Sequence, residues 1–327
     1  MKICIVVNSL IPALEYGGIE RVVVWLGRGL KELGHQPIFL AKPTSKLDFA
    51  EVLPLDVSKS LDSQIPEGTN IVHIHGDIAA PQNYPYCYTN HGNARNWQTF
   101  DRNTIFCSLK HATNHGGEAF VHLGLDPREY GSPNFENRES ASLIFLGKAA
   151  WRLKNVKGAI SVARKARKKI DILGGSRLNF KMGFRFTFDL HASFHGMVGG
   201  EKKNKLIRGS SGLVFPVLWH EPGATAVIES LYFGKPVFAT PYGCLPELVA
   251  PHVGALSNVE SILGEAAKNA SSYDCREIHH WWSQNFTYKH MTAKYLSYYE
   301  TILDGQSLHA APLQSPPVRT KLLDWKK

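Results

Sequence analysis

Short apolar runs alternate with longer stretches of helical period along most of this 327-residue chain. Ile3 to Val7 is continuously apolar, as a strand buried on both faces must be. Glu20 to Leu33 carries apolar residues at helical spacing and is stopped by Gly34. Gln36 to Ala41, Asn70 to His75, Tyr86 to Thr89 and Thr104 to Ser108 read as further short strands. This rhythm predicts an α/β chain whose parallel sheet is covered by helices on both faces. The polar segment from Asp126 to Ser140, with its Pro and Gly, interrupts the rhythm and reads as a linker. Beyond it come strand Ser142 to Leu146, helix Val156 to Lys169, strand Lys169 to Leu173, strand Gly212 to Pro216, helix Ala224 to Phe233 and strand Pro236 to Ala239. The expected architecture is two Rossmann-like doubly wound domains, 1–135 and 136–280. Residues 281–327 would form a terminal part: Ile278 to Leu303 has the pattern of one helix able to cross back over both domains. The Pro- and Ser-bearing stretch after it reads as loosely ordered.

Composition narrows the class. Hydrophobic residues make up 43% and charged residues 20%, ordinary values for a water-soluble globular chain. No window approaches 18 apolar residues, and the start "MKICIVVNS" reads as a first strand, not a signal peptide. The 5 cysteines are widely spaced and form no C-x-x-C. That pattern fits reduced thiols and a cytoplasmic location. The net charge of +9 favours anionic partners. No nucleic-acid-binding module is present, so nucleic acid is not an expected partner. The run "RKARKK" from Arg164 to Lys169 reads first as a solvated helix face. With "KLLDWKK" near the other end, where Leu322, Leu323 and Trp325 sit among lysines, it leaves an anionic membrane surface as a secondary expectation, peripheral at the inner face.

Common catalytic motifs are absent. No G-x-G-x-x-G follows the first strand, and there is no Walker A lysine and no G-x-S-x-G. No Asp-x-Asp offers a metal–diphosphate site, so no metal is expected. His111 and His115 are spaced i, i+4 without an H-E-x-x-H and read as structural or surface residues. Four features remain. "YGGIER", Tyr16 to Arg21, places Gly17 and Gly18 before a helix N-terminus, where positive φ and close approach would suit an anion; a plain two-glycine turn explains them equally well. His91 in "YTNHGNARN" follows a strand, at the end where doubly wound sheets bind ligands; "HIHGD" from His73 ends another strand in the same way. Lys148, Arg152, Lys154 and Lys157 follow the strand ending at Gly147, a good place for a diphosphate. In "WHEPGATAVIES", Pro222 reads as the first helical residue and Gly223 lets a ligand reach free amides. Glu221 would sit at the helix start and Glu229 two turns on, on the same face. Two such carboxylates suit the paired hydroxyls of a sugar; the plain alternatives are a helix-dipole acid and a surface acid.

Together these stretches resemble the family-four retaining glycosyltransferases of the GT-B fold. "EPGATAVIESLYFGKPVFATPYGCLPELV" is similar to the family's E-x7-E motif, "YGGIERVVVWLGRGLKELGH" to its glycine loop and first helix, "FLGK…LKNVKGAI" to its diphosphate segment, and "FTYKHMTAKYLSYYETIL" to its closing helix. The resemblance spans residues 1 to about 303 in order. It implies two Rossmann-like domains facing across a cleft, with the last helix crossing back. It implies a metal-independent transfer of a hexose-type sugar from a UDP- or GDP-linked donor, needing no cofactor beyond that co-substrate. The acceptor would be a glycan or glycolipid, as in lipopolysaccharide or capsule synthesis. By the resemblance, Glu229 would bind the ribose and Glu221 the transferred sugar, beside the amides of Gly223, Ala224 and Thr225. Lys148 and Lys154 would hold the diphosphate, His91 the sugar or phosphate, and Gly17 and Gly18 the phosphate from the other domain. Departures are Lys148 where the family has Arg, one extra residue between Gly147 and Lys154, and no Phe after Pro222. An epimerase or hydrolase on the same fold, and a non-catalytic nucleotide-sugar binder, are the alternatives.

Overall fold

The computed structural model describes residues 1–13, 17–136, 142–180, 185–318 and 321–327. The chain opens with β1 (Lys2–Val7), α1 (Gly18–Glu32), β2 (Gln36–Ala41), β3 (Glu51–Pro54), β4 (Ile71–His75), β5 (Tyr86–Asn90), β6 (Gln98–Phe100), β7 (Thr104–Phe106) and α2 (Leu109–Asn114). It continues through β8 (Ser142–Leu146), α3 (Val156–Lys165), β9 (Lys169–Leu173), β10 (Leu178–Asn179), β11 (Arg185–Phe186), β12 (Ala192–Phe194), α4 (Gly200–Arg208) and β13 (Leu213–Phe215). Then come α5 (Thr225–Tyr232), β14 (Val237–Ala239), α6 (Leu245–Leu248), β15 (Gly254–Leu256), α7 (Glu260–Lys268), α8 (Cys275–Asn285), α9 (Tyr288–Leu303) and β16 (Leu313–Ser315). These elements form two units. One comprises Met1–Leu125 and Phe286–Arg319, the other Asp126–Asn285 and Thr320–Lys327.

In the first unit a parallel sheet runs in the order β3-β2-β1-β4-β5-β7. The apolar run that defines β1 lies at its centre, with Ile3 opposite both Pro37 and Ile71, and Ile3 to Val6 are fully buried. Helix α1 packs closely because Gly27 and Gly29 lack a side chain. A Cβ on Gly27 would enter the Phe39 ring, and one on Gly29 would strike Thr292 of α9. Helix α9 is tied to the sheet by a buried polar chain. His73 Nδ1 is 2.6 Å from the Tyr299 hydroxyl and His73 Nε2 is 2.7 Å from Thr89 Oγ1. Thr89 in turn donates to the Tyr295 hydroxyl at 3.1 Å. One neutral tautomer satisfies every link: Tyr299 donates to Nδ1 and Nε2–H donates to Thr89.

The second unit repeats the design with a parallel sheet in the order β12-β9-β8-β13-β14-β15. Leu143, Phe145, Ile170, Ile172, Val214 and Phe238 of its strands meet Ala159, Val162 and Ala163 of α3 and Leu263 and Ala267 of α7 in one core. In both sheets the order runs outward from the first strand on one side (β2, β3 and β9, β12) and restarts on its other side (β4 and β13), which leaves a crevice at the carboxyl ends where the strand order reverses. In the second unit that crevice lies between β8 and β13.

Several expectations are corrected. The helical pattern from Ile278 to Leu303 is two helices: α8 ends at Asn285, and Thr287 caps α9 by accepting from the His290 amide. Phe286 and Tyr288 pair with Leu125 through backbone bonds of 2.9 and 3.1 Å, which a continuous helix would forbid. Helix α3 stops at Lys165, and Arg167 turns left-handed at φ 55. Helix α5 begins at Thr225, so Pro222 is not its first residue and the helical-face relation of Glu221 to Glu229 does not apply. The described residues that follow α9 are held in place. β16 pairs antiparallel with β6, and the His309 ring accepts from the Glu118 and Ala119 amides and donates to the Arg102 carbonyl. The run 321–327 docks on the second unit. Its Leu323 amide bonds the Leu218 carbonyl at 2.9 Å, Lys326 pairs with Val259, and Trp325 packs on the core. Its apolar side chains Leu323 and Trp325 are thus partly covered by protein, while Leu322 stays exposed. Among the described residues, no helix is long and apolar enough to cross a membrane.

Candidate functional site

The loops after β8 and β13 meet at the switch point of the second unit and carry Lys148, Lys154, Glu221, Gly223 and Ala224 of the expected residues. The first loop passes through a 3-10 turn, Arg152–Lys154, into α3. Asn155 makes the junction at φ 53, a left-handed conformation that Asn tolerates, and caps α3 by accepting from the Gly158 amide at 3.0 Å. Its amide nitrogen donates to the Pro216 carbonyl at 3.1 Å, and the Leu218 amide donates to the Leu153 carbonyl at 2.7 Å. These bonds zip the two loops together and set Lys154 against Glu221. Lys154 Nζ lies 2.9 and 2.7 Å from the two oxygens of Glu221. Trp219 Nε1 donates to the same carboxylate at 2.6 Å. Lys154 also sits 4.9 Å from the Phe215 ring and 5.3 Å from Trp219, within cation–π reach.

The backbone of Glu221 is fixed from the other side. It bridges to Gly243, and the Cys244 amide donates to its carbonyl at 2.8 Å. Gly243 stands at φ +64, and a Cβ there would run into the Glu221 backbone. Only glycine meets both demands. Glu221 is therefore a buried carboxylate, 6% exposed, held by a lysine, an indole and a backbone bridge.

Glu229 lies in α5 with its own partners. Lys203 Nζ of α4 is 2.7 Å from Oε1, and the Tyr130 hydroxyl donates to the same oxygen at 2.7 Å. Lys203 stands 4.9 Å from the centre of the Tyr130 ring. Tyr130 is held by Arg208, which donates to its carbonyl at 3.1 Å. Lys203 and Glu229 are 6% and 5% exposed, so each charge has been taken out of water against the other. The sequence reading missed Tyr130, which it left in a linker, and Lys203 and Trp219. One signal for Lys203 was available: it stands four residues before the buried Ile207, on the same helix face.

The remaining second-unit candidates flank these pairs in sequence. Lys148 is exposed, its Nζ 5.6 Å from the Trp151 ring. Gly223 is half-buried, Ala224 is the N-cap of α5, and Thr225 begins the helix. Ala224 has no side chain able to cap, so among the described residues no side chain caps the positive end of α5.

In the first unit, His91 follows β5 but turns inward. Its Nε2 is 2.9 Å from His75 Nδ1 and its Nδ1 is 3.5 Å from Cys107 Sγ. Burial pulls its pKa down to about 4, so the ring is neutral near pH 7. His75 Nε2 is buried without a hydrogen-bond partner. Gly17 and Gly18 lie at the start of α1, but neither adopts the positive φ expected of them: Gly17 is extended at φ 175. What Gly17 lacks is room, since a Cβ would meet Glu20 and Ala13. Tyr16 of the same stretch lies outside the described residues. His111 and His115 are core residues. His111 bonds the Cys107 amide and the Gly92 carbonyl, and His115 bonds the Ala94 amide and the His111 carbonyl.

With this geometry in hand, residues 129–285 match the family model for glycosyl transferases group 1. That match spans nearly the whole of the second unit. The match covers both carboxylate clusters, from Tyr130 to Glu229. No curated protein matches the chain. Among solved structures, the chain is similar to AviGT4, a glycosyltransferase involved in avilamycin A biosynthesis, at 22% identity and TM-score 0.78, covering 93% of this chain and 99% of that one. It is also similar to HepE from Anabaena in complex with UDP and glucose, at 14% identity, TM-score 0.63 and coverage of 91% and 98%. WaaG, involved in lipopolysaccharide biosynthesis, matches at 13% identity, TM-score 0.57 and coverage of 92% and 98%. These likenesses establish the GT-B fold. Domain and fold together support a glycosyltransferase.

Proposed function

We propose that the chain is a retaining, metal-independent glycosyltransferase that moves a hexose-type sugar from a UDP- or GDP-linked donor to a glycan or glycolipid. The observation that carries the reading is the Lys154–Glu221–Trp219 cluster at the strand-order switch of the group 1 domain. Lys154 uses two of its three N–H donors on Glu221, and the third is available to a diphosphate oxygen. Exposed Lys148 and the uncapped start of α5 add positive potential for the same group. Glu221 binds hydroxyls of the transferred sugar and Glu229 those of the ribose, their orientations fixed by Trp219 and by Tyr130 with Lys203.

The chemistry follows from charge. The bond from the anomeric carbon to the phosphate oxygen breaks, leaving positive charge on the sugar ring and negative charge on the diphosphate. Lys148, Lys154 and the helix amides stabilise that leaving group, as fixed donors do for a developing oxyanion. The acceptor oxygen bonds the anomeric carbon on the face the phosphate leaves, and its proton passes to the departing phosphate oxygen. UDP and glucose in the Anabaena neighbour support a hexose donor, and WaaG supports a surface-glycan acceptor such as lipopolysaccharide or capsule. The test is nucleotide release from UDP-glucose, UDP-galactose and GDP-mannose, with and without glycan acceptor and EDTA. Transfer that depends on acceptor and survives EDTA is expected. Loss of transfer in EDTA would overturn the metal-free reading, and equal turnover without acceptor would assign a hydrolase or epimerase.

A further inference from the structure

The described residues between β9 and its parallel neighbour β12 include a pair of short strands, where a helix is usual. β10 and β11 pair antiparallel, with Leu178 opposite Phe186. Arg177 holds the return strand by donating to the carbonyls of Thr187 at 3.1 Å, Asp189 at 2.8 Å and Ala192. With the backbone held this way, large apolar side chains stand in water. Phe180 is 73% exposed, Phe188 82% and Leu190 88%, and Leu178 and Phe186 are each 42%. The Phe186 and Phe188 rings are 4.2 Å apart, so they form one surface. Soluble domains seldom leave such a strip uncovered unless it binds something.

A basic run adjoins it. Arg164 pairs with Asp189, which lies between Phe188 and Leu190 in sequence, and the Ile170 amide bonds the His191 carbonyl. Arg164, Lys165, Arg167 and Lys169 are all exposed. Asp189 is matched by Arg164, and Glu260, which faces Lys165 at 3.7 Å, is itself buried. We propose that the 186–190 strip and the 164–169 run together form a docking surface for an anionic lipid bilayer. Aromatic and aliphatic side chains enter the interface while the neighbouring cations meet lipid phosphates, the pairing of features that holds peripheral proteins on acidic membranes. A second copy of the same patch fits less well, because it would bring two basic runs together. The strip lies at the β12 edge, two strands from the β8–β13 switch point, so docking leaves the carboxylate clusters accessible. Lipid binding is read without donor or acceptor, so its outcome is independent of the sugar-transfer reading.

The test is co-sedimentation of the full chain with phosphatidylcholine vesicles containing phosphatidylglycerol at about one-third, against pure phosphatidylcholine, at low and high salt. Binding to the anionic vesicles only, weakening as salt screens it, is expected. Phe186→Ser/Phe188→Ser/Leu190→Ser and Arg167→Glu/Lys169→Glu should each lower the partition coefficient at least tenfold, since one cation near an anionic surface contributes about fivefold. All five side chains are exposed, so circular dichroism and melting temperature should not change. Wild-type protein left in the supernatant, or variants that bind as well as wild type, would overturn the proposal. A dimer in light scattering that the Phe186→Ser/Phe188→Ser/Leu190→Ser variant abolishes would assign the strip to a second copy instead.

Discussion

Replacing Lys203 by Met strands the Glu229 carboxylate. In the wild type that carboxylate has a lysine ammonium at 2.7 Å and a tyrosine hydroxyl at 2.7 Å, in a site where acid and lysine are both at most 6% exposed. Met keeps most of the volume of the Lys stem, so little cavity is created and the loss is electrostatic. Breaking one half of a buried pair costs roughly 3–5 kcal/mol because the remaining charge is uncompensated. Glu229→Gln alone strands Lys203 in the same way. The double variant Lys203→Met/Glu229→Gln removes both charges and should recover much of the loss, giving a coupling energy of about 2 kcal/mol or more. The assay is urea unfolding of the four proteins of the cycle at pH 7.5, followed by fluorescence and circular dichroism. Single variants that each cost under about 1 kcal/mol, with losses that simply add, would refute the buried-pair reasoning. The double variant should remain folded yet bind nucleotide poorly, which separates the role of Glu229 in binding from its role in stability.

Three further outcomes follow from named contacts. His73 and His111, buried and neutral with pKa values lowered by desolvation to about 3, take up no proton near pH 5, whereas the unfolded chain does below 6.5. Stability should therefore be level above pH 6.5 and fall below it, by about 2 kcal/mol per histidine at pH 5, in urea titrations across that range. Gly243→Ala should cost at least about 2 kcal/mol, from a left-handed φ and a clash with the Glu221 backbone, and should raise the donor KM; wild-type melting and kinetics would refute the clash. Deleting 321–327 removes the Leu323–Leu218 bond and the Trp325 packing and should lower the melting temperature by several degrees and weaken donor binding; an unchanged donor KM would limit that run to a structural role.

The alternation of apolar runs with helical patterns was enough to locate most of both sheets, because strands buried on both faces need apolar side chains at every position. Ile3 to Val7 and Phe238 show this directly. The carboxylates were legible too, since Glu221 and Glu229 stand in otherwise apolar surroundings. Of their partners, Lys154 was a candidate, but Tyr130, Lys203 and Trp219 were not. Tyr130 lies in a polar stretch that looks like linker, and only tertiary contact with α4 and α5 shows it to be fully buried. Lys203 sits among other lysines, with charge hiding its place on the inner helix face. The start of α5 was misplaced because Pro222 fits a first helical turn locally, yet Glu221 is held by its bridge to Gly243, beyond any local rule. The split between α8 and α9 was missed for a similar reason: helical periodicity persists across Phe286, and only its pairing with Leu125 forces the break.

The most direct test of sugar transfer from this site is acceptor-dependent nucleotide release by wild type and by Glu221→Gln, with a UDP- and GDP-hexose panel in EDTA. Release by the wild type from at least one donor is predicted. In Glu221→Gln, which keeps the shape but removes the charge that Lys154 and Trp219 hold, kcat/KM should fall at least about 100-fold, equivalent to ~2.7 kcal/mol. No release from any donor by folded wild-type protein, or a variant as active as wild type, would contradict it.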